Sequence, residues 1–184
     1  MKKIFITNGS ATNGKDTFAK MMGDYISTYK YSSIDLVKDM LEFAGIPKEP
    51  KTEEKRLLYS DTKDRLTKYD DILFKDITSI VADFKNNKIE SEVLLIDIRE
   101  PEEIARAVKT FGAETILVRN PNAIKIESNH ADRDVENYEY DYIIENDGTL
   151  EQLERVAKLF ICDVICGEHI PEKDKPFTWT CSKY

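Results

Sequence analysis

Positive charge is what this chain has too little of. It carries 27 lysines and arginines against 35 aspartates and glutamates, a formal net charge of −8. A surface that binds a nucleic-acid polymer needs the opposite balance, so that partner class is not expected. Small phosphorylated ligands remain open, because they need only a local basic pocket. Long apolar runs are missing as well. No stretch approaches the length of a membrane span, and the opening MKKIFITNGS has too few apolar residues before Asn8 for a signal peptide. A cytoplasmic protein with no membrane partner is expected. Histidine and cysteine are scarce: His130, His169, Cys162, Cys166 and Cys181 are all there are. Cys162 and Cys166 stand four residues apart on what reads as the last helix but lack partners for a metal site. Reduced, partly buried thiols are expected.

What is present describes an ordinary globular chain. With 184 residues, 41% hydrophobic and 34% charged, one compact domain with a useful core is the default. Lys3 to Thr7 (KIFIT) reads as a buried strand. Lys15 to Tyr29 carries Phe18, Met21, Met22, Tyr25 and Ile26 at helical spacing, and Tyr31 to Ile34 reads as a second short strand. Helices follow over Asp35 to Ala44, stopped by Gly45 and Pro47, over Lys55 to Lys68 behind a Thr52 N-cap, and over Asp70 to Lys85. EVLLIDI (Glu92 to Ile98) is an almost continuous apolar run, as a strand covered on both faces requires. A helix over Glu100 to Phe111, strands over Glu114 to Val118 and Tyr140 to Glu145, and a final helix over Thr149 to Ile165 complete the order. Alternating strands and helices of this kind predict an α/β fold of three layers, a parallel sheet with helices on both faces.

The chemistry is concentrated in NGSATNGKDTF, Asn8 to Phe18. Gly9, four residues and Gly14-Lys15 match a phosphate-binding loop, whose next residue is ordinarily Ser or Thr holding magnesium. Asp16 stands there instead. The match lies between the first strand and a helix, where backbone N–H groups point at an anion and Lys15 adds a mobile charge. The cofactor-binding set is therefore Gly9, Ala11, Thr12, Asn13, Gly14, Lys15, Asp16 and Thr17. A carboxylate at 16 repels phosphates unless a cation lies between, and it can ligate magnesium itself. Thr17 points about 100° away around the helix and is a poor substitute for the missing hydroxyl.

Gly-Lys-Asp-Thr at this place resembles the phage deoxynucleoside monophosphate kinases, and Gly-Lys-Asp also occurs in the animal-type phosphomevalonate kinases. LLIDIREPEEIARAVKTFGAETILV (Leu94 to Val118) and NHADRDVENYEYDYIIENDGTLEQL (Asn129 to Leu153) are similar to later blocks of those P-loop kinases. The middle, about residues 46 to 91, matches only loosely, and Ala131, Asp132 and Arg133 depart from the family's His-x-Ser/Thr-Glu. The resemblance implies a P-loop kinase domain over 1–166 of nucleoside-monophosphate-kinase-like fold, with an acceptor-binding region over 33–90, a lid over 120–137 and a tail over 167–184. It implies ATP and magnesium as cofactors. Asn146 and Gly148, in the turn before the last helix, would read the adenine through backbone groups. Ser33, Asp35 and Lys38 would begin the acceptor segment, with Arg65 on a helix above it.

Roles for the remaining residues follow from the demands of phosphoryl transfer, which needs positioning and positive charge over the shared oxygens. Lys15 would bridge the β- and γ-phosphates. Asp97, at the carboxyl edge of its strand, would serve magnesium or the acceptor, making Asp16 and Asp97 the metal carboxylates. Arg99 would grip an acceptor phosphate. Arg119 ends the next strand at the same edge, and Arg133, with His130 nearby, lies in the lid loop, where an arginine would help exclude water. The expected activity is ATP-dependent transfer to a small phosphorylated acceptor, foremost a nucleoside or deoxynucleoside monophosphate, by a monomer or homodimer. Phosphomevalonate or dephospho-coenzyme A as acceptor, a nucleotide-binding regulatory module without transfer, and a simple NTPase are the alternatives.

Overall fold

The computed structural model describes residues 2–10, 12–50, 52–123, 135, 137–168 and 170. The chain divides into two compact units: Met1–Lys30 with Glu90–Tyr184, and Tyr31–Ile89.

The first unit is organised around β1 (Lys3–Asn8), as its apolar run predicts. With β2 (Thr28–Ser32), β3 (Val93–Asp97), β4 (Glu114–Arg119) and β5 (Tyr142–Glu145) it belongs to a five-stranded sheet of order β2-β3-β1-β4-β5. β1 runs parallel to both β3 and β4, and β4 parallel to β5, so these strands end at one carboxyl edge. Both faces are covered. Phe5, Val93, Leu95, Ile116, Val118 and Ile144 pack on one face beneath α1 (Lys15–Gly23) and α6 (Leu150–Phe160). Phe160 is the pivot there, edge-on to Phe5 at 5.5 Å and to Tyr142 at 5.2 Å, geometries that favour aromatic pairs. The alternate strand residues Ile4, Ile6, Leu94 and Ile96 are also buried. α5 (Pro101–Phe111), in contact with β1, buries Ile104, Ala107 and Phe111. The expected α/β sandwich with a parallel central sheet is therefore what the chain forms.

Several boundaries differ from expectation, and two of them matter for the site. The helix opened by Lys15 stops at Gly23 rather than reaching Tyr29, and β2 begins at Thr28 rather than Tyr31. Gly23 and Asp24 are poor helix formers, while Thr28, Tyr29 and Tyr31 favour extended backbone. Ile26 still packs against the core from the intervening turn, which is why its spacing from Met22 mimics helix. The last helix likewise ends at Phe160 and passes into a π-helical turn, Ile161–Ile165. Within the first unit, Ser27 binds the returning chain: its carbonyl accepts the Glu92 N–H at 2.9 Å and its hydroxyl donates to the Glu90 carbonyl at 3.3 Å.

The second unit holds α2 (Asp35–Phe43), α3 (Glu53–Asp70) and α4 (Ile72–Lys85). Its small core is Val37, Tyr59 and Leu73, with Ile34, Leu36, Leu41 and Leu66 against it. Thr52 caps α3 as expected, its hydroxyl accepting the Lys55 N–H at 3.3 Å. α3 and α4 are separate because Asp71 adopts a left-handed conformation between them, φ 53°.

Candidate functional site

The site grows from the end of β1. Asn8 is fully buried, and both its amide donors and its amide oxygen are engaged. Its Nδ2 donates to the Tyr140 hydroxyl at 2.7 Å and to the Arg99 carbonyl at 3.1 Å, while its Oδ1 accepts the Gly9 N–H at 2.8 Å. Tyr140 in turn donates to the Val135 carbonyl at 2.7 Å. The chain thus enters the loop from a fixed point. A Cβ at Gly9 would lie 2.5 Å from the Val118 carbonyl oxygen of β4, so only glycine passes there.

The loop then turns sharply. Thr12 has φ 69°, the Asn13 N–H is taken by the Ser10 carbonyl at 3.2 Å, and Gly14 is the left-handed N-cap of α1 at φ 88°. The first bond of the helix runs from the Phe18 N–H to the Gly14 carbonyl at 2.8 Å, which leaves the opening N–H groups of α1 outside the helix ladder. Asn146 braces this turn from the β5–α6 connection. Its Nδ2 donates to the Asn13 carbonyl at 3.0 Å and fills the space a Cβ on Gly14 would need. The expectation for Asn146 concerned its backbone groups; its side chain supports the loop. Gly148 lies against Gln152, which completes a capping box with Thr149.

Four charged side chains meet above this loop. Asp97 stands beside Thr7 in the β1–β3 register and accepts the Thr7 hydroxyl on Oδ1. Its Oδ2 accepts the Lys15 ammonium and lies 3.1 Å from the Lys30 ammonium. Lys15 also reaches Asp16 Oδ1 at 3.1 Å, and Lys30 binds that same oxygen. Lys15 and Asp97 are each only 13% exposed, whereas Asp16 is 77% exposed. Loss of some of its water to the surrounding protein pushes the Asp16 carboxyl upward, exposed though the side chain is, yet the charges of Lys15 and Lys30 and their hydrogen bonds outweigh it. The group ends well below the usual carboxylate range. Burial pulls Lys30 down, but Asp97 and Asp16 overcome it and hold its ammonium more firmly protonated than usual. Asp16 is therefore a carboxylate already neutralised by neighbours rather than a bare anion facing a ligand.

The other expected residues are distributed as follows. Thr17 is partly buried on α1. Arg99 lies just past β3, where its carbonyl helps hold Asn8. Arg119 pairs with its register neighbour Glu145, Nε to Oε1 at 2.7 Å, so its charge is shared with a carboxylate. In the second unit, Ser33 is buried, and Asp35 is engaged by the Ser32 N–H at 2.8 Å and the Lys38 ammonium at 2.7 Å, while Arg65 is exposed on α3. Ala11, His130, Arg133, His169 and Cys181 lie outside the described residues. Cys162 and Cys166 are free thiols, but Cys166 is exposed rather than partly buried, since the π-helical turn carries it outward. Burial pushes the Cys162 thiol up.

Among the described residues no group of three or more His, Cys, Asp or Glu side chains could hold a metal by itself. Asp16 and Asp97 nonetheless share cations across a short gap, and one or two carboxylates completed by ligand phosphates suffice for magnesium. Lys30 is the residue that sequence reasoning missed. Had the Gly23-Asp24 break been read as the end of the helix, TYKYS would have been a strand with Lys30 at its middle.

No family model matches the chain and no curated protein matches it. Among solved structures, a sugar kinase from Janibacter sp. HTCC2649 is 11% identical, with 92% of this chain and 100% of that chain covered at a TM-score of 0.47. Shikimate kinase from Aquifex aeolicus is 13% identical, with 89% and 99% covered at a TM-score of 0.46. Superpositions this loose leave the site's own geometry to carry any functional reading. No described helix is long and apolar enough to cross a membrane.

Proposed function

We propose that the protein is an ATP-dependent phosphotransferase acting on a small phosphorylated acceptor, with a nucleoside or deoxynucleoside monophosphate as the favoured acceptor. The observation that carries this reading is the loop from Gly9 to Gly14, ending in a left-handed glycine at the start of α1, with Lys15 drawn to Asp97 at the carboxyl edge of the sheet. A helix N-terminus that follows a tight, glycine-containing turn is an anion cradle. Lys15 supplies the charge that would follow the transferred phosphoryl group, and Thr7 orients Asp97 through its hydroxyl. Asp16 and Asp97 would hold magnesium, which neutralises donor phosphate charge when bound. The resemblance of Gly-Lys-Asp-Thr and the two later blocks to deoxynucleoside monophosphate kinases selects the acceptor class.

A screen of nucleoside monophosphates and other phosphorylated metabolites with ATP and magnesium tests the reading. ADP formation dependent on one acceptor is the expected outcome. ATP binding without turnover would make the protein a regulatory module, and hydrolysis indifferent to every acceptor would make it an NTPase.

Asp16 supplies a second test. Serine restores the usual hydroxyl at this position, whereas alanine removes every oxygen ligand. Asp16→Ser should keep part of the wild-type turnover, while Asp16→Ala falls about tenfold further, one lost charge-assisted contact. Steady-state rates across a magnesium series measure this; equal losses in the two variants would remove Asp16 from metal handling.

A further inference from the structure

Nothing in the phosphate-loop pattern calls for a lysine on β2, yet Lys30 reaches both carboxylates of the site. Its ammonium binds Asp16 Oδ1 and lies 3.1 Å from Asp97 Oδ2. One small cationic group therefore bridges two carboxylate oxygens that come from different elements, α1 and β3. An arrangement that a single ammonium spans is also one that a hard divalent cation, which takes oxygen ligands, can span. The charges point the same way. Lys15 and Lys30 balance Asp16 and Asp97 without any further ion, whereas Lys15 alone would leave a net negative pair beside an anion site. A serine at position 16 would need no such balance, so Lys30 and Asp16 make sense together.

We propose that Lys30 and a divalent cation compete for the same two carboxylates, Asp16 and Asp97, which makes Lys30 a positioning residue that tunes how readily the site takes metal. This rests on the reading of those carboxylates as the metal-holding pair. Lys30 holds one oxygen of each carboxylate alongside Lys15, and metal uptake requires its ammonium to let go of them. The device costs metal affinity in the absence of a phosphate ligand, since a protein cation must first be displaced.

Manganese titration of nucleotide-free protein, followed by electron paramagnetic resonance, tests the competition directly. Lys30→Met should bind manganese about tenfold more tightly than wild type, because a competing positive charge a few ångströms away is gone. Lys30→Arg, which keeps the charge, should stay within about twofold of wild type. Adding Asp16→Asn to Lys30→Met should abolish the gain. Thermal melts establish that each variant is folded, with Lys30→Gln replacing the methionine variant if that one is not. Manganese binding in Lys30→Met no tighter than in wild type would overturn the proposal, as would a gain that survives Asp16→Asn. No nucleotide or acceptor enters the titration, so its outcome is separate from that of the acceptor screen.

Discussion

Lys15→Ala is expected to lower acceptor-dependent ADP formation by about 10³-fold, the scale of removing a principal charge contact from a developing transition state. The fold should survive the change. Lys15 is nearly buried against Asp97, and stripping one partner from a buried pair is ordinarily damaging. Here Asp97 keeps the Thr7 hydroxyl and the Lys30 ammonium, so its carboxylate is never left alone. The change in stability should stay within about 1 kcal/mol, the range of partly solvated ion pairs. Coupled-assay kinetics together with a thermal melt separate the two effects. Turnover close to wild type would remove Lys15 from the site, and a collapsed melt would mean that its packing matters more than its charge.

Gly9→Ala should do the reverse and attack the fold first. The new methyl group would meet the Val118 carbonyl oxygen at 2.5 Å, a backbone atom of β4 just beyond the Asn8–Leu117 pair that ends the β1–β4 register. Neither side can rotate away. Forcing β1 and β4 apart strains the sheet centre on which Asp97 and Thr7 depend, at a cost of about 3 kcal/mol. For a chain of this size that is a fall in melting temperature of roughly 6–12 °C. Differential scanning calorimetry reads it. A melt within a degree or two of wild type would show that the loop can leave Val118 without penalty.

Much of this architecture was legible because strands buried on two faces write themselves as apolar runs. KIFIT and EVLLIDI were recognisable without their partners, and Gly9, Gly14 and Lys15 could be placed between the first strand and its helix by spacing alone. What spacing does not encode is register. That Thr7 sits beside Asp97 follows from how β1 and β3 align, and no local signal in either segment specifies that alignment. Lys30 was hidden for a different reason: Ile26 buries itself from a turn at a helical distance from Met22, so the helix read two turns too long. The side-chain role of Asn146 was not legible either, because a turn-and-cap motif does not reveal that its amide reaches back to Asn13.

The stitch between Ser27 and the strand region at Glu90 and Glu92 has a consequence of its own. The chain departs after Lys30 and rejoins at Glu90, and these crossing points are tethered on the sheet side. An excursion whose ends are already pinned adds little closure entropy, however long or differently folded it is. The region between them is consequently free to diverge in sequence and length while the sheet residues on either side, and the charged quartet of Lys15, Asp16, Lys30 and Asp97, stay as they are.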